Sequence, residues 1–166
     1  MMGKRTGLRA AAVLVLGFMS AGTSAKEPPG RASCARITDR QVEALFDRWN
    51  RALATKNPDT VVANYAPDAT LLPTVQNGPL IGPAAIRGYF VHFLEKSPQG
   101  TIDRRIVHID CNIAYDIGLY TFELDGDQPG TRTKVGARYT FIYGAEGGKW
   151  LIVHHHSSAL PESPKS

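Results

Sequence analysis

Three consecutive histidines followed by two serines, residues 154–158, close the last apolar run of the chain. Imidazole titrates near neutrality, so such a run invites proton transfer, metal ligation or pH-dependent assembly. Successive side chains of a strand point to opposite faces, which divides the run in two. The flanking sequence, VGARYTFIYGAEGGKWLIVHHHSS, reads as a hairpin around a short glycine-bearing turn. Val135, Ala137, Tyr139, Phe141 and Tyr143 share one face, and Leu151, Val153, His155 and Ser157 match it on the return strand. This apolar set is expected to face a core. The opposite set holds Arg138, Thr140 and Ile142 with Trp150, Ile152, His154 and His156. It is too polar for a core and too apolar for plain solvent.

Each chemistry makes its own demand. A general base must sit on the inward face, within reach of a substrate, with a tuned pKa. His155 is the best catalytic candidate on that count, set beside Tyr139; the alternative is a histidine hydrogen-bonded at a strand end. Asp68, Asp110 and Asp116 lie in turn-like contexts and read as solvated or capping. His154 and His156 have a spacing that can chelate zinc, but a closed site needs three or four ligands. No third ligand stands out, so a hydrogen-bonded pair is expected and no metal is assigned. Neither a dinucleotide fingerprint nor a phosphate loop occurs, and no cofactor is expected. Tyr65 and Tyr89, on helical segments, are expected to meet Tyr139, His155 and Ser157 around a tyrosine-rimmed pocket for a small apolar or aromatic ligand. The alternative is a filled core. Arg138, Trp150, His154 and His156, beside Ile152, have the mixed composition of an interface centre, and a homodimer is expected to form there.

The elements that must position these groups follow from the remaining pattern. Residues 1–25 read as a secretory signal: Lys4, Arg5 and Arg9 precede an apolar run too short to span a bilayer, and Thr23-Ser24-Ala25 forms a cleavage site. Export to the periplasm or cell exterior, with cleavage near Ala25, is therefore expected, and the mature chain should lack a membrane span. Removing those three cations takes the formal net charge from +4 to +1, which gives no case for a nucleic-acid partner. Residues 26–36 form a Pro/Gly-rich linker, 37–161 a single domain and 162–166 a tail. Thr38 with Gln41 makes a capping box and Ile37 with Val42 a staple, after which Val42, Leu45, Phe46, Trp49 and Leu53 repeat at helical spacing. Asn57-Pro58 opens a short second helix carrying Val61, Val62 and Tyr65. A small strand at 69–74, a third helix from Gly82-Pro83, and strands near 102–109 and 112–124 precede the hairpin. Helices gathered ahead of a strand meander define an α+β fold, with about three helices packed on one face of a curved antiparallel sheet.

Two cysteines, Cys34 and Cys111, lie outside the signal. In an oxidising compartment an even count favours a bridge, worth roughly 4–5 kcal/mol in the chain-entropy account; the alternative is two buried thiols.

The chain also resembles a known family. Arg87-Gly-Tyr-Phe-Val-His-Phe-Leu, Gly148-Lys-Trp and Val153-His-His-His-Ser-Ser are similar to motifs of the association (hub) domain of calcium/calmodulin-dependent protein kinase II, and especially of its free-standing bacterial relatives. The resemblance covers about residues 37–161. It implies the nuclear transport factor 2-like cone fold and self-association, as a homodimer or a larger ring. It brings no kinase activity, since no glycine-rich loop or catalytic-loop Asp is present. Kinase hubs line their pocket with arginines, and Thr121, Phe141 and Ser157 stand here at those positions, so an acid-binding pocket is not implied. His154 and His156 do fall on the hub's His-x-His. The function expected is that of an exported, self-associating, small-molecule-binding domain. The alternative is a small acid–base enzyme like ketosteroid isomerase or the polyketide cyclases, other members of the same fold, acting on a hydrophobic carbonyl compound.

Overall fold

A computed structural model describes residues 34–161; the expected signal segment, most of the linker and the tail lie outside them. Helix α1 spans Asp39–Ala54. Its capping box forms as expected: Thr38 Oγ1 accepts from the Gln41 N–H, and Gln41 Oε1 accepts from the Thr38 N–H at 2.9 Å. Val42, Phe46, Trp49 and Leu53 recur every three or four residues and are all buried. This stripe presses α1 against the sheet. Helix α2, Pro58–Val62, starts with Asn57 capping the Asp59 N–H and Pro58 in its first turn. Helix α3, Gly82–Phe93, buries Ile86 and Phe90, and a single 3₁₀ turn, Leu94–Lys96, follows it.

The strands are β1 (Tyr65–Leu72), β2 (Leu80–Ile81), β3 (Gln99–Asp110), β4 (Ile113–Asp125), β5 (Arg132–Glu146) and β6 (Lys149–Ala159). They form one curved, unclosed sheet in the order β2-β1-β6-β5-β4-β3. The order has one feature the expected meander lacked: β1 pairs with β6 in parallel, with Leu71 opposite His155. Tyr65, expected on the second helix, instead begins β1. The ladder reaches back to Asn64, whose carbonyl accepts the Ile152 N–H at 2.8 Å. The β5–β6 connection is a two-residue turn, Gly147-Gly148, with φ of 55° and 78°. Both values lie in the left-handed region that such tight turns demand, which glycine enters without a Cβ penalty.

Two irregularities decide which side chains face inward. In β3 the register shifts between Ile102 and Arg104. Inward positions change there from even to odd numbers, so Gly100 and Ile102 are succeeded by Arg105, Val107 and Ile109. In β6, Ile142 pairs with His154 but Tyr143 with Ile152, leaving Val153 as the extra residue. Ile152 is therefore fully buried, against expectation, while half-buried Leu151 and Val153 occupy the outer face. Trp150, opposite Ala145 and two positions from the Tyr143–Ile152 pair, follows Ile152 toward the core side. It thus leaves the outer patch to which it was assigned.

Cys34 and Cys111 are joined by a disulfide, with Cα atoms 4.8 Å apart. Beside it Asn112 Oδ1 accepts the Ala35 N–H at 2.7 Å, so the segment ahead of α1 is tied to the β3–β4 turn twice.

Candidate functional site

Between α1, α3 and the concave face of the sheet lies a cavity of about 90 Å³. Trp49 comes from α1, Tyr89, Phe90 and Phe93 from α3, Tyr120 and Phe122 from β4, and His155 and Ser157 from β6. Val135 and Ala137 of β5 add to the lining, as do Thr74 and Val75 in the connection after β1, of which Val75 is 77% exposed. Period two along β6 puts His155 and Ser157 side by side, as the sequence leads one to expect.

His155 is the most constrained group of the site. It is 3% exposed, stacks on Phe141 with ring centroids 4.1 Å apart, and meets Trp49 edge-on at 5.3 Å. Trp49 Nε1 donates to the Tyr65 hydroxyl oxygen at 3.1 Å, and an indole can only donate. The Tyr65 proton is then free for His155 Nδ1, 2.9 Å away, and the neutral imidazole carries its own proton on Nε2. Nε2 is buried without a hydrogen-bond partner among the described residues. Burial, with smaller contributions from His154 and His156, pushes the His155 pKa down to about 3. The geometry therefore makes His155 a hydrogen-bond donor rather than a ready proton acceptor at neutral pH. Because its folded pKa lies below the ordinary 6.5, its contribution to stability is complete above that value and is lost as pH falls toward 3. Denaturant unfolding between pH 7 and 4 is expected to show a loss for wild type that is smaller in His155→Phe; parallel curves would contradict the neutral assignment.

The other pocket residues sort differently. Ser157 Oγ accepts from Tyr120 Oη and shares a hydrogen bond with Thr74 Oγ1. Tyr89 lines the cavity, stacked on Phe93 at 5.5 Å, and burial pushes its pKa up to about 12. Tyr65 stands behind His155 rather than in the lining. Tyr139, expected at the rim, is turned away, because its hydroxyl donates to Asp116 Oδ1 at 2.7 Å.

Asp116 itself is the residue that sequence reasoning misplaced. It is no turn residue: it sits within β4 opposite Phe141 and is 0% exposed. Arg105, brought inward by the β3 irregularity and lying over the Phe46 ring at 5.6 Å, donates from Nε to Asp116 Oδ1 at 3.1 Å. Burial raises the Asp116 pKa, with Tyr139 and Arg105 opposing it. Asp116 Oδ2 also lies 3.1 Å from Arg105 Nε, but it, Arg105 Nη2 and Tyr143 Oη have no hydrogen-bond partner among the described residues. The alternation of Ala114, Asp116, Gly118 and Tyr120 was the available signal, since Ala114 and Tyr120 point inward.

On the outer face, Ile142 lies opposite His154, Thr140 opposite His156 and Arg138 opposite Ser158. Arg138 and His156 are exposed and His154 half-buried, its pKa lowered first by burial and then by His156. Ile106, 52% exposed, and Ile117 and Leu119 extend the patch over β3 and β4. Among the described residues no group of three or more His, Cys, Asp or Glu is placed to hold a metal. Nor is any helix there long and apolar enough to cross a membrane.

A cone of this kind, with helices over the concave face of a six-stranded sheet, defines the nuclear transport factor 2-like class. An NTF2-like protein with a cystatin-like fold from Novosphingobium aromaticivorans superposes with a TM-score of 0.63 at 12% identity, covering 75% of this chain and 83% of its own. A ketosteroid isomerase-like protein from Erwinia carotovora gives 0.60 at 15%, covering 73% and 95%. Within the class, residues 38–161 match the calcium/calmodulin dependent protein kinase II association domain, and the chain belongs to that family. A structure from Xanthomonas campestris assigned to the same association domain is 50% identical, with a TM-score of 0.73, covering 77% of this chain and 91% of its own. No curated protein matches the chain.

Proposed function

We propose that the protein is an exported, self-associating domain that binds a small molecule and has no kinase chemistry of its own. The observation that carries the reading is that one sheet presents two working faces: an outer face with aliphatic side chains in solvent, and an inner face closed over an uncharged cavity. Membership of the association-domain family supports self-association. The disulfide supports export, since such bonds persist in oxidising compartments. An acid–base enzyme is less well supported. No carboxylate lines the cavity, and burial holds His155 neutral.

The interface is assigned to Ile106, Ile117 and Leu119 together with Arg138, Ile142, His154 and His156. A two-fold axis through this face would bring the same patch from each copy together and use every residue twice. Aliphatic side chains mixed with arginine suit an interface centre better than free surface. Acidification would charge the half-buried His154 against Arg104 and Arg138 of the same face, so the dimer should weaken as pH falls toward 5. Light scattering is expected to give a dimer at neutral pH, a shift toward monomer near pH 5, and a monomer at both values for Ile106→Glu. A monomeric wild type at neutral pH, or a dimer indifferent to that substitution, would refute the assignment.

A further inference from the structure

Arg48, on the exposed side of α1, is held in place by the fold although neither the cavity nor the outer face uses it. Its Nε donates to Asn64 Oδ1 at 2.7 Å and its Nη2 to the Trp150 carbonyl at 3.0 Å. Asn64 is itself buried and fixed, since its Nδ2 donates to the carbonyls of Thr60 and Val61. A long cationic side chain is thus tied at once to the α2–β1 junction and to β6, while its Nη1 enters neither bond. Beside it opens a groove of about 470 Å³, lined also by Arg51, Thr60, Ala63, Lys149 and Leu151. No carboxylate lines this groove, and none of Arg48, Arg51 and Lys149 takes part in an ion pair among the described residues. Elsewhere on the fold Arg87, Arg105, Arg132 and Lys134 each face a carboxylate.

Like charges gathered in one concavity repel, and a counter-ion relieves the repulsion. The C-terminal end of α1 supplies only about half an elementary negative charge against these three cations. What remains, roughly two charges, calls for a dianion rather than a monoanion. A guanidinium presents parallel N–H groups that fit the oxygens of a phosphate or sulfate, whereas an ammonium acts as a point charge. Arg48 has already lost its side-chain freedom to Asn64 and Trp150, so a ligand that uses it does not have to order it. We infer that this groove binds the dianionic oxygens of a phosphate or sulfate group, with Arg48 as the fixed anchor and Arg51 and Lys149 closing on it from α1 and β6. The site shares no residue with the cavity or with the proposed interface, so it stands apart from both readings.

Calorimetry at low ionic strength and neutral pH, with chloride as the background anion, compares sulfate, inorganic phosphate and acetate. Sulfate and phosphate are expected to bind at least about tenfold more tightly than acetate, and both should weaken as sodium chloride is added. The Arg48 Nε–H resonance, followed by NMR, should move with sulfate and not with acetate. Arg48→Lys keeps the charge but not the fork, and should lower sulfate affinity about tenfold. Lys134→Ala, which removes an exposed cation paired with Glu123, should leave it unchanged. If Arg48→Lys does not fold, Arg51→Ala combined with Lys149→Ala leaves Arg48 and its partners in place and should produce the same loss. Glucose 6-phosphate separates the sources of the group: binding tighter than inorganic phosphate assigns it to a larger molecule, and equal or weaker binding assigns it to the free ion. Acetate binding as tightly as sulfate, sulfate affinity unchanged in the groove variants, or failure of sulfate and phosphate to bind overturns the inference. None of these results bears on the dimer or on the cavity.

Discussion

Asp116→Ala is expected to destabilise the protein by about 3–5 kcal/mol, the usual range when one partner of a buried ion pair is removed. The substitution strands Arg105, whose side chain is only 19% exposed, and deprives the Tyr139 hydroxyl of its acceptor. Asp116→Asn should cost less than Ala, because an amide oxygen can still accept from Tyr139, but it too leaves the Arg105 guanidinium without its counter-charge and so should not be neutral. The pH dependence gives a second signature. The folded pKa of Asp116 is raised above 3.8, so its contribution is complete below that value and falls as pH rises through the raised pKa. The deficit of the Asn variant relative to wild type should therefore shrink as pH rises across the acid range. Urea midpoints of the three proteins provide the test. An Ala variant within about 1 kcal/mol of wild type would mean that Arg105 escapes to solvent and the pair is not structural.

Removing the Cys34–Cys111 bridge, by reduction or as the double serine variant, is expected to cost about 4–5 kcal/mol if loop closure alone is counted. The bond spans 77 residues, enclosing α1 to α3 and β1 to β3, so it restricts a large part of the unfolded chain. Its folded-state role is narrower, holding residues 34–37 against the β3–β4 turn together with the Ala35–Asn112 hydrogen bond. Stability should thus fall steeply while the cavity, which neither cysteine lines, keeps its shape. Alkylation of the unfolded, unreduced protein should label no thiol. Two labelled cysteines would refute the bridge, and a loss under about 1 kcal/mol would show that native-state strain cancels the entropic gain.

How far the sequence could be read depended on unbroken periodicity. The capping box at Thr38, the stripe from Val42 to Leu53 and the proline-opened helices carry local signals, and each forms where its residues place it. The inward positions of His155 and Ser157 were equally legible, because β5 and β6 stay in register from Arg138 to Ile142. Beyond Val153 the same rule inverted: one extra residue turned Ile152 into the core and moved Trp150 with it. No residue type announces such an insertion, since it is fixed by how the partner strand twists. Arg105 was hidden for the same reason. Asp116 was hidden by its chemistry, for aspartate more often marks a turn than a strand interior. The parallel pairing of β1 with β6 joins segments far apart in sequence, and period-two reading carries no information about neighbours.

The irregularity in β3 and the shortness of β2 bear finally on how copies of this chain can add to one another. These two strands are the sheet's margins, and a long, flat margin with unpaired N–H and C=O groups would template further strands and fibrous growth. Here one margin is two residues long, while the other is bent at Asp103 and flanked by Arg104 and Arg105, with His108 and Asp110 further along. Strand-by-strand extension is discouraged at both, and the proposed face-to-face association through a two-fold axis would consume its own surface. Copies of this chain should accordingly build assemblies of fixed number rather than filaments.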